Sequence, residues 1–344
     1  MPQPVKKIVC CSVNETEYCL EMSAVSGIGR SSQITPDQTA AGQLGWLSIR
    51  QNKLPVFSMA ERLNPAQAGS TTKHLVQTDL QQGFLVLLNS AQPFALQVDR
   101  VTGIIAVNDH QIAPLPMIIE PQTDKVFKGI VKLEEKWLLL ADPIRLHPDN
   151  ESQVAENLVP AIEAAPAKSE AIKPKISGQS TRSQILLFSS ALKTSEAHDH
   201  FPMVFGLSIA QVREILNVPP MMTIPGAPGY VVGITNWRNF PVPIIDLKVR
   251  LGITEAVITP NMLSPKSRLL IVQSPKQAGL VGFLINSEVK AFPLPIPYQA
   301  NNHQFLVDQE LIKGVFDLEG APLVIPDLDA LLTRNFIPNP HLLG

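Results

Sequence analysis

Apolar and polar positions alternate at short period along most of this chain, in brief runs separated by polar turns. Gly83–Leu88 (GFLVLL) and Pro93–Val101 (PFALQVDRV) are two such runs, with the alternation that half-buried β-strands require. Leu269–Val272 and Gly279–Asn286 repeat the arrangement in the second half. Residues 6–11 and 17–22 predict the opening strands and Gln184–Phe188 another, with three more near 268–274, 279–286 and 288–292. Helical periodicity is confined to short stretches. Ser208 as cap, with Ile209, Val212, Ile215 and Leu216 on one face, predicts a short amphipathic helix. Asp327 before Leu328, Leu331 and Leu332 predicts a final one.

The pattern occurs twice. Residues 128–142 (KGIVKLEEKWLLLAD) align with 313–327 (KGVFDLEGAPLVIPD), and Leu146 falls on Leu331. Lys128-Gly129 and Lys313-Gly314 are expected to mark a turn entering a strand. Earlier in each half, Arg50, Pro55, Val56, Arg62 and Leu63 fall on Arg238, Pro243, Ile244, Arg250 and Leu251, with Ser58 in place of Asp246. Blocks in one order at nearly constant offset mean a tandem duplication of about 140–150 residues, against the ~20–50 of a solenoid repeat. The copies are placed at 1–147 and 182–344. Between them, 148–181 is rich in Ala, Pro, Glu, Lys and Ser and lacks aromatics, so it is expected to be an extended linker.

The densest local information lies in Gly233–Gly252 (GITNWRNFPVPIIDLKVRLG). Tyr230–Ile234 and Val242–Ile245 read as strands of a β-hairpin, joined by Asn236-Trp237-Arg238-Asn239 through Phe240 and Pro241. Asp246 stands where the N-cap of a short helical turn belongs, and Gly252 ends that turn. Pro241 and Pro243 place the second strand at an edge or a bulge. Val231, Ile234, Ile244 and Leu251 are expected in the core. A Trp–Arg tip on such a strand is a contact surface rather than a reaction centre, because Trp and Arg are enriched among interface hot spots. Arg238 has a second reading, as a clamp on turn carbonyls. The candidate protein-interaction residues are therefore Asn236, Trp237, Arg238, Asn239, Phe240, Pro241 and Pro243.

Composition narrows the function. A length of 344 residues accommodates about two domains. Charged residues make up 17%, below the usual ~25%, while 31 prolines exceed the usual ~5% of a chain of this length. Both suit a β-rich protein with many turns. The net charge of −2 offers no basic stripe for nucleic acid. No apolar run approaches the ~20 residues of a membrane span, and the N-terminal apolar run is too short for a signal peptide. Direct membrane insertion is therefore not expected. Cys10, Cys11 and Cys19 are an odd, clustered set, which fits a reducing cytoplasm better than a disulfide framework. Adjacent on a strand, Cys10 and Cys11 point to opposite faces, so one is expected in the core and the other exposed.

Candidate chemistry is sparse. Gly27-Ile28-Gly29-Arg30-Ser31-Ser32 lacks the third glycine and the Lys-Ser/Thr of a phosphate loop. His198-Asp199-His200 has no third metal ligand placed by sequence. No nucleophile elbow, zinc-protease motif or paired carboxylates in a cleft are present. The chain is read as a non-enzyme without cofactor or metal. A small-molecule-binding β-barrel protein or enzyme is the rival of another class.

Pro225, Pro228, Val231, Gly233, Asn236, Arg238, Pro243, Ile244, Asp246, Leu247, Arg250, Leu251 and Gly252 together resemble the signature of CheW-like domains. The glycine that follows the arginine in that signature is Asn239 here; Asn tolerates positive φ nearly as well. The resemblance covers most of 182–335 and, more faintly, 5–147. It implies a mainly β fold of two CheW-like domains, each a pair of small five-stranded β-barrels with short helices. It also implies a non-catalytic cytoplasmic adaptor of chemosensory arrays, joining the cytoplasmic tip of a chemoreceptor to a CheA-type histidine kinase. The same adaptor chemistry could serve pilus-driven motility or polar localisation. The second domain carries the clearer signature. The first is expected to keep the fold but to have altered or given up one docking interaction.

Overall fold

The computed structural model describes residues 5–37, 43–50, 52–63, 83–116, 118–119, 126–134, 136–147, 184–190, 203–254, 263–276, 279–293, 299–300, 307–318 and 320–333. The expected linker, 148–181, and His198-Asp199-His200 lie outside the described residues.

In the first half the strands are β1 (Val5–Val13), β2 (Thr16–Glu21), β3 (Val25–Arg30), β4 (Ile34–Pro36), β5 (Gln43–Ile49) and β6 (Asn52–Ser58). Helix α1 (Met59–Leu63) follows, then β7 (Phe84–Leu88), β8 (Phe94–Val98), β9 (Arg100–Asn108), β10 (Ile112–Ala113), β11 (Phe127–Leu133) and β12 (Lys136–Ala141). They form two sheets, β10-β11-β12-β2-β1-β9 and β3-β7-β8-β6-β5-β4. The outer strands of each sheet are chain neighbours. A single 3₁₀ turn, Asp109–Gln111, joins β9 to β10, and another, Ser31–Gln33, joins β3 to β4. Each sheet is thus a barrel of five strands, one of them bent at a corner.

The second half repeats this. Its elements are β13 (Gln184–Ser190), β14 (Val204–Ser208), β15 (Val212–Asn217), β16 (Val231–Trp237), β17 (Phe240–Ile245), α2 (Leu247–Arg250), β18 (Arg268–Gln273) and β19 (Leu280–Pro293). β20 (Gln299–Ala300), β21 (Ile312–Leu318), β22 (Ala321–Pro326) and α3 (Leu328–Thr333) complete it. Here both barrels share one strand. Leu280–Ile285 of β19 pairs with β18, and Val289–Pro293 pairs with β13. The bridge between Met222 and Ile234 folds the exit of β15 back onto β16.

The short period explains the packing. In β1, Ile8 and Cys10 point into the first barrel with Cys19, Val107, Val131, Leu138 and Leu140. Val9, Cys11 and Val13 point the other way, into the large core between the barrels. A strand buried on both faces reads as a continuous apolar run, and five strands enclose only enough room for side chains to fill. Both cysteines are therefore buried, which corrects the expectation that one would be exposed.

Three further expectations are revised. Val212–Asn217 is strand rather than helix, with Ile209–Gln211 a 3₁₀ turn before it. Its burial alternates residue by residue against β18, and the β-branched Val212 and Ile215 favour that pleat. The strands expected at 279–286 and 288–292 are one. Gly129 and Gly314 sit within β11 and β21, each at a register shift rather than at a strand entry.

Glycine has a defined role at the barrel corners. A Cβ on Gly233 would lie 2.6 Å from the Met222 carbonyl oxygen, and one on Gly45, its counterpart, 2.3 Å from that of Thr35. Both positions adjoin a bulge in the strand that closes its barrel.

Candidate docking site

The hairpin β16–β17 turns on two residues, Arg238 (φ 50°) and Asn239 (φ 70°), with Trp237 and Phe240 as the closing pair. Positive φ at both positions is the geometry of a type I′ turn, and Asn239 fits it without glycine. The strands therefore reach further than the sequence implied. The prolines fit because of their register. Counting from the closing pair, Asn236–Pro241 and Ile234–Pro243 are non-hydrogen-bonded pairs, so neither ring removes a bond to β16. On its other side, among the described residues, β17 pairs from Ile244 onward, in parallel with β19. The strand is an edge at its prolines and interior at Ile244–Ile245.

The signature residues divide by burial. Gly233, Asp246, Leu247, Arg250 and Leu251 are buried and structural. The Asp246 carboxylate accepts hydrogen bonds from the Lys248 (2.8 Å) and Val249 (3.4 Å) amides, capping α2. Burial raises its pKa, against the pull of those two amides. The Arg250 guanidinium donates to the Leu331 carbonyl of α3 (Nη2 3.1 Å) and lies 4.7 Å over the Tyr230 ring. Burial lowers its pKa. In the first copy Arg62 Nε donates to the Leu146 carbonyl at 3.1 Å. The repeated arginine thus ties each copy's short helix to that copy's C-terminal segment.

What stays at the surface is the tip. The Arg238 side chain is 68% exposed, and Phe240 is 58% exposed. Arg238 stacks 4.9 Å over the Trp237 ring and donates to Glu214 Oε2 at 3.0 Å. The Trp237 indole donates to the same oxygen at 2.8 Å. A carboxylate on β15 therefore holds both side chains, and Ile215 lies exposed beside it. Arg238 meets this carboxylate rather than turn carbonyls. Asn236 and Pro241 are half-buried, and Pro243 is buried, so the structure does not present it at the surface.

Two contacts tie the tip's surroundings to the first copy. Lys132 Nζ donates to Asn239 Oδ1, and the Tyr230 hydroxyl donates to the Ile118 carbonyl at 3.1 Å. An open cleft of about 270 Å³ lies alongside, between Thr16, Glu17, Lys136 and Trp137 on one side and Met221–Thr223 on the other. Glu214 and Lys132 were missed from sequence; Glu214 fell in the misassigned helix, and nothing in the sequence marks Lys132.

The first copy's tip differs. Arg50 keeps the positive φ (56°), but the bulge position that holds Glu214 in β15 holds Gly27 in β3. Arg50 has no equivalent carboxylate there. The Gly27–Ser32 stretch is strand and corner, not a phosphate-binding loop. Among the described residues no group of three or more His, Cys, Asp or Glu could hold a metal, and no helix is long and apolar enough to cross a membrane.

The molecule is thus a tandem of double β-barrels with a partly exposed polar–aromatic hairpin tip on the second copy. The chain belongs to the CheW-like domain family, whose model matches residues 7–151 and 200–336. It is 28% identical over 133 residues to the chemotaxis protein CheW of Rhizobium meliloti strain 1021, covering 37% of this chain and 79% of that one. The probable chemotaxis protein CheW of Rhizobium etli is 24% identical over 151 residues, covering 44% and 92%. Chemotaxis protein CheV3 of Helicobacter pylori is 25% identical over 136 residues, covering 38% and 41%. Among solved structures, scaffolding protein TtCheW from Thermoanaerobacter tengcongensis matches at 23% identity and a TM-score of 0.36, covering 47% of this chain and 96% of that one.

Proposed function

We propose that this chain is a non-catalytic adaptor of chemosensory signalling that couples chemoreceptors to a CheA-type histidine kinase. The observation that carries the reading is the Trp237–Arg238–Glu214 cluster, an ordered and exposed anchor in a member of the CheW-like family. Two chemically suited anchors fixed by one carboxylate lose little side-chain entropy on binding. Such an adaptor transmits signal by binding partner conformations differentially, with no covalent step. In this reading the domains are 1–147 and 182–344, joined by 148–181, and the protein works in the cytoplasm beside receptor arrays. The second domain supplies the main docking tip, Asn236–Pro241, while the first lacks the carboxylate that would fix Arg50.

Arg238→Glu in the full chain tests this. It sets a second carboxylate against Glu214 and removes the cation. Capture of a CheA-type kinase or of a receptor cytoplasmic-tip fragment should weaken at least about thirtyfold, the scale of a hot spot. The melting temperature should move little, because an exposed ion pair is worth about 0–1 kcal/mol. Undiminished capture of both partners by a folded variant would place the anchor elsewhere.

A further inference from the structure

The thiols inside the first barrel form a facing pair whose placement is independent of the docking tip. β1 and β2 turn on Asn14 and Glu15, both with positive φ (49° and 63°), so the two-residue loop closes on the pair Val13–Thr16. Hydrogen-bonded and non-hydrogen-bonded pairs alternate from there, which makes Cys10–Cys19 a non-hydrogen-bonded pair. Cα atoms at such a pair are roughly 4.5 Å apart, within the span of a disulfide. The two Sγ atoms stand 3.7 Å apart. Small χ1 rotations bring them to bonding distance, about 2.05 Å. Cys11, on the opposite face of β1, lies 3.9 Å from the Met59 sulfur and 3.8 Å from the Tyr18 carbonyl oxygen.

We propose that Cys10 and Cys19 are an oxidation site, a dithiol that hydrogen peroxide converts to an intrachain disulfide. In the first step the Cys10 thiolate attacks a peroxide oxygen. An S–O bond forms, the O–O bond breaks, and the departing hydroxide takes a proton to leave as water. In the second step the Cys19 sulfur, giving up its proton, attacks the Cys10 sulfur. The S–S bond forms, the S–O bond breaks, and a second water leaves. The two thiols lose two electrons and the peroxide gains them.

Cys10 is the attacking member, being the less buried of the two (5% against 0% exposed). The hydrogen bond shared with Cys19 lowers the Cys10 pKa; burial and the Glu17 carboxylate oppose it, and Lys136 supports it. The contact with Cys10 and burial push Cys19 up, and burial pushes Cys11 up to about 12. Only 5% of Cys10 is exposed, so the reaction waits on local opening of the hairpin and is slower than at a surface thiol. The bond would pin the strand that carries Thr16 and Glu17, one wall of the cleft facing Met221–Thr223.

The test treats the full native chain with hydrogen peroxide, removes the peroxide, then alkylates under denaturing conditions and counts labelled thiols by mass. The expected result is a fall from three labelled cysteines to one, the survivor being Cys11. Cleavage after Glu15 and Glu17 should release a disulfide-linked peptide pair joining Cys10 to Cys19. Cys11→Ser should still lose two labels, whereas Cys10→Ser and Cys19→Ser should lose none to a disulfide. Cys19→Ser should also leave a Cys10 sulfenic acid that dimedone traps. Three labels remaining at peroxide levels that oxidise free glutathione, a bond to Cys11, or disulfide-linked dimers would each overturn the assignment.

Discussion

Replacing Arg250 with Met tests whether the buried signature arginine is an internal anchor. Arg250 is the largest fully buried side chain among the described residues. Its Nη2 and Nε lie 3.1 and 3.4 Å from the Leu331 carbonyl oxygen, in the last turn of α3, where carbonyls lack helical partners. Methionine fills much of the volume but offers no donor. Leaving that carbonyl buried and unbonded costs about 1–3 kcal/mol, and the missing stack on Tyr230 adds roughly 0.5–2 kcal/mol. Relief of the guanidinium's desolvation offsets part of this. The net expectation is a loss of about 1–3 kcal/mol, or roughly 2–10 °C in the unfolding of the second domain. Differential scanning calorimetry of the full chain measures it. Arg62→Met should produce a smaller shift in the first domain, because Arg62 is only half-buried where its Nε meets the Leu146 carbonyl. Partner capture below the transition should be intact in both variants. A variant as stable as the parent would refute the argument, since it would mean that the buried cation costs as much as its bonds return.

Glu61, buried in α1 where the second copy has Val249, has a pKa raised by burial. The folded state therefore binds its proton more tightly than the unfolded state. The resulting penalty is absent below the unfolded pKa of about 4.3 and grows as pH rises through the raised folded value. Glu61→Val should raise stability by about 1–3 kcal/mol at pH 7 and clearly less at pH 4; an equal gain at both would contradict it. Gly233→Ala forces a Cβ to within 2.6 Å of the Met222 carbonyl oxygen and should cost about 1–3 kcal/mol in chemical denaturation. Gly45→Ala, at 2.3 Å and φ 152°, should cost more than Gly233→Ala. Tyr230→Phe removes the bond to the Ile118 carbonyl and should cost about 0.5–1.5 kcal/mol. If that bond couples the halves, calorimetry should show their two transitions moving apart; unchanged coupling would deny it that role.

The strands were legible because burial on a pleat imposes a period of two, which single residues display. The caps at Asp246 and Asp327 were legible because a capping carboxylate acts only two or three residues away. Val212–Asn217 was misread because Ile209, Val212, Ile215 and Leu216 satisfy a helical spacing, whereas in the strand only Val212 and Leu216 are packed and Ile215 is exposed; the pairing with β18 decides. Long-range partners left no trace. Glu214 reaches Trp237 and Arg238 through the closure of a barrel, and Lys132 reaches Asn239 across two domains. The Cys10–Cys19 pairing depends on hairpin register, which the loop at Asn14-Glu15 sets but a cysteine count does not reveal. The repeated arginines were visible as a correspondence, yet their shared task of holding a C-terminal carbonyl was not.

The uninterrupted run of β19 gives the two halves of the molecule different builds. In the first copy, Asp99 breaks the corresponding run between Val98 and Arg100, and its carboxylate takes the Asn14 amide at 2.7 Å. In the second, Leu280–Pro293 passes from one barrel to the other as a single strand, with no residue between them leaving the strand. The front half is interrupted where the rear half is continuous, so one strand meets β17 at Gly282–Phe283 and β13 at Val289–Pro293.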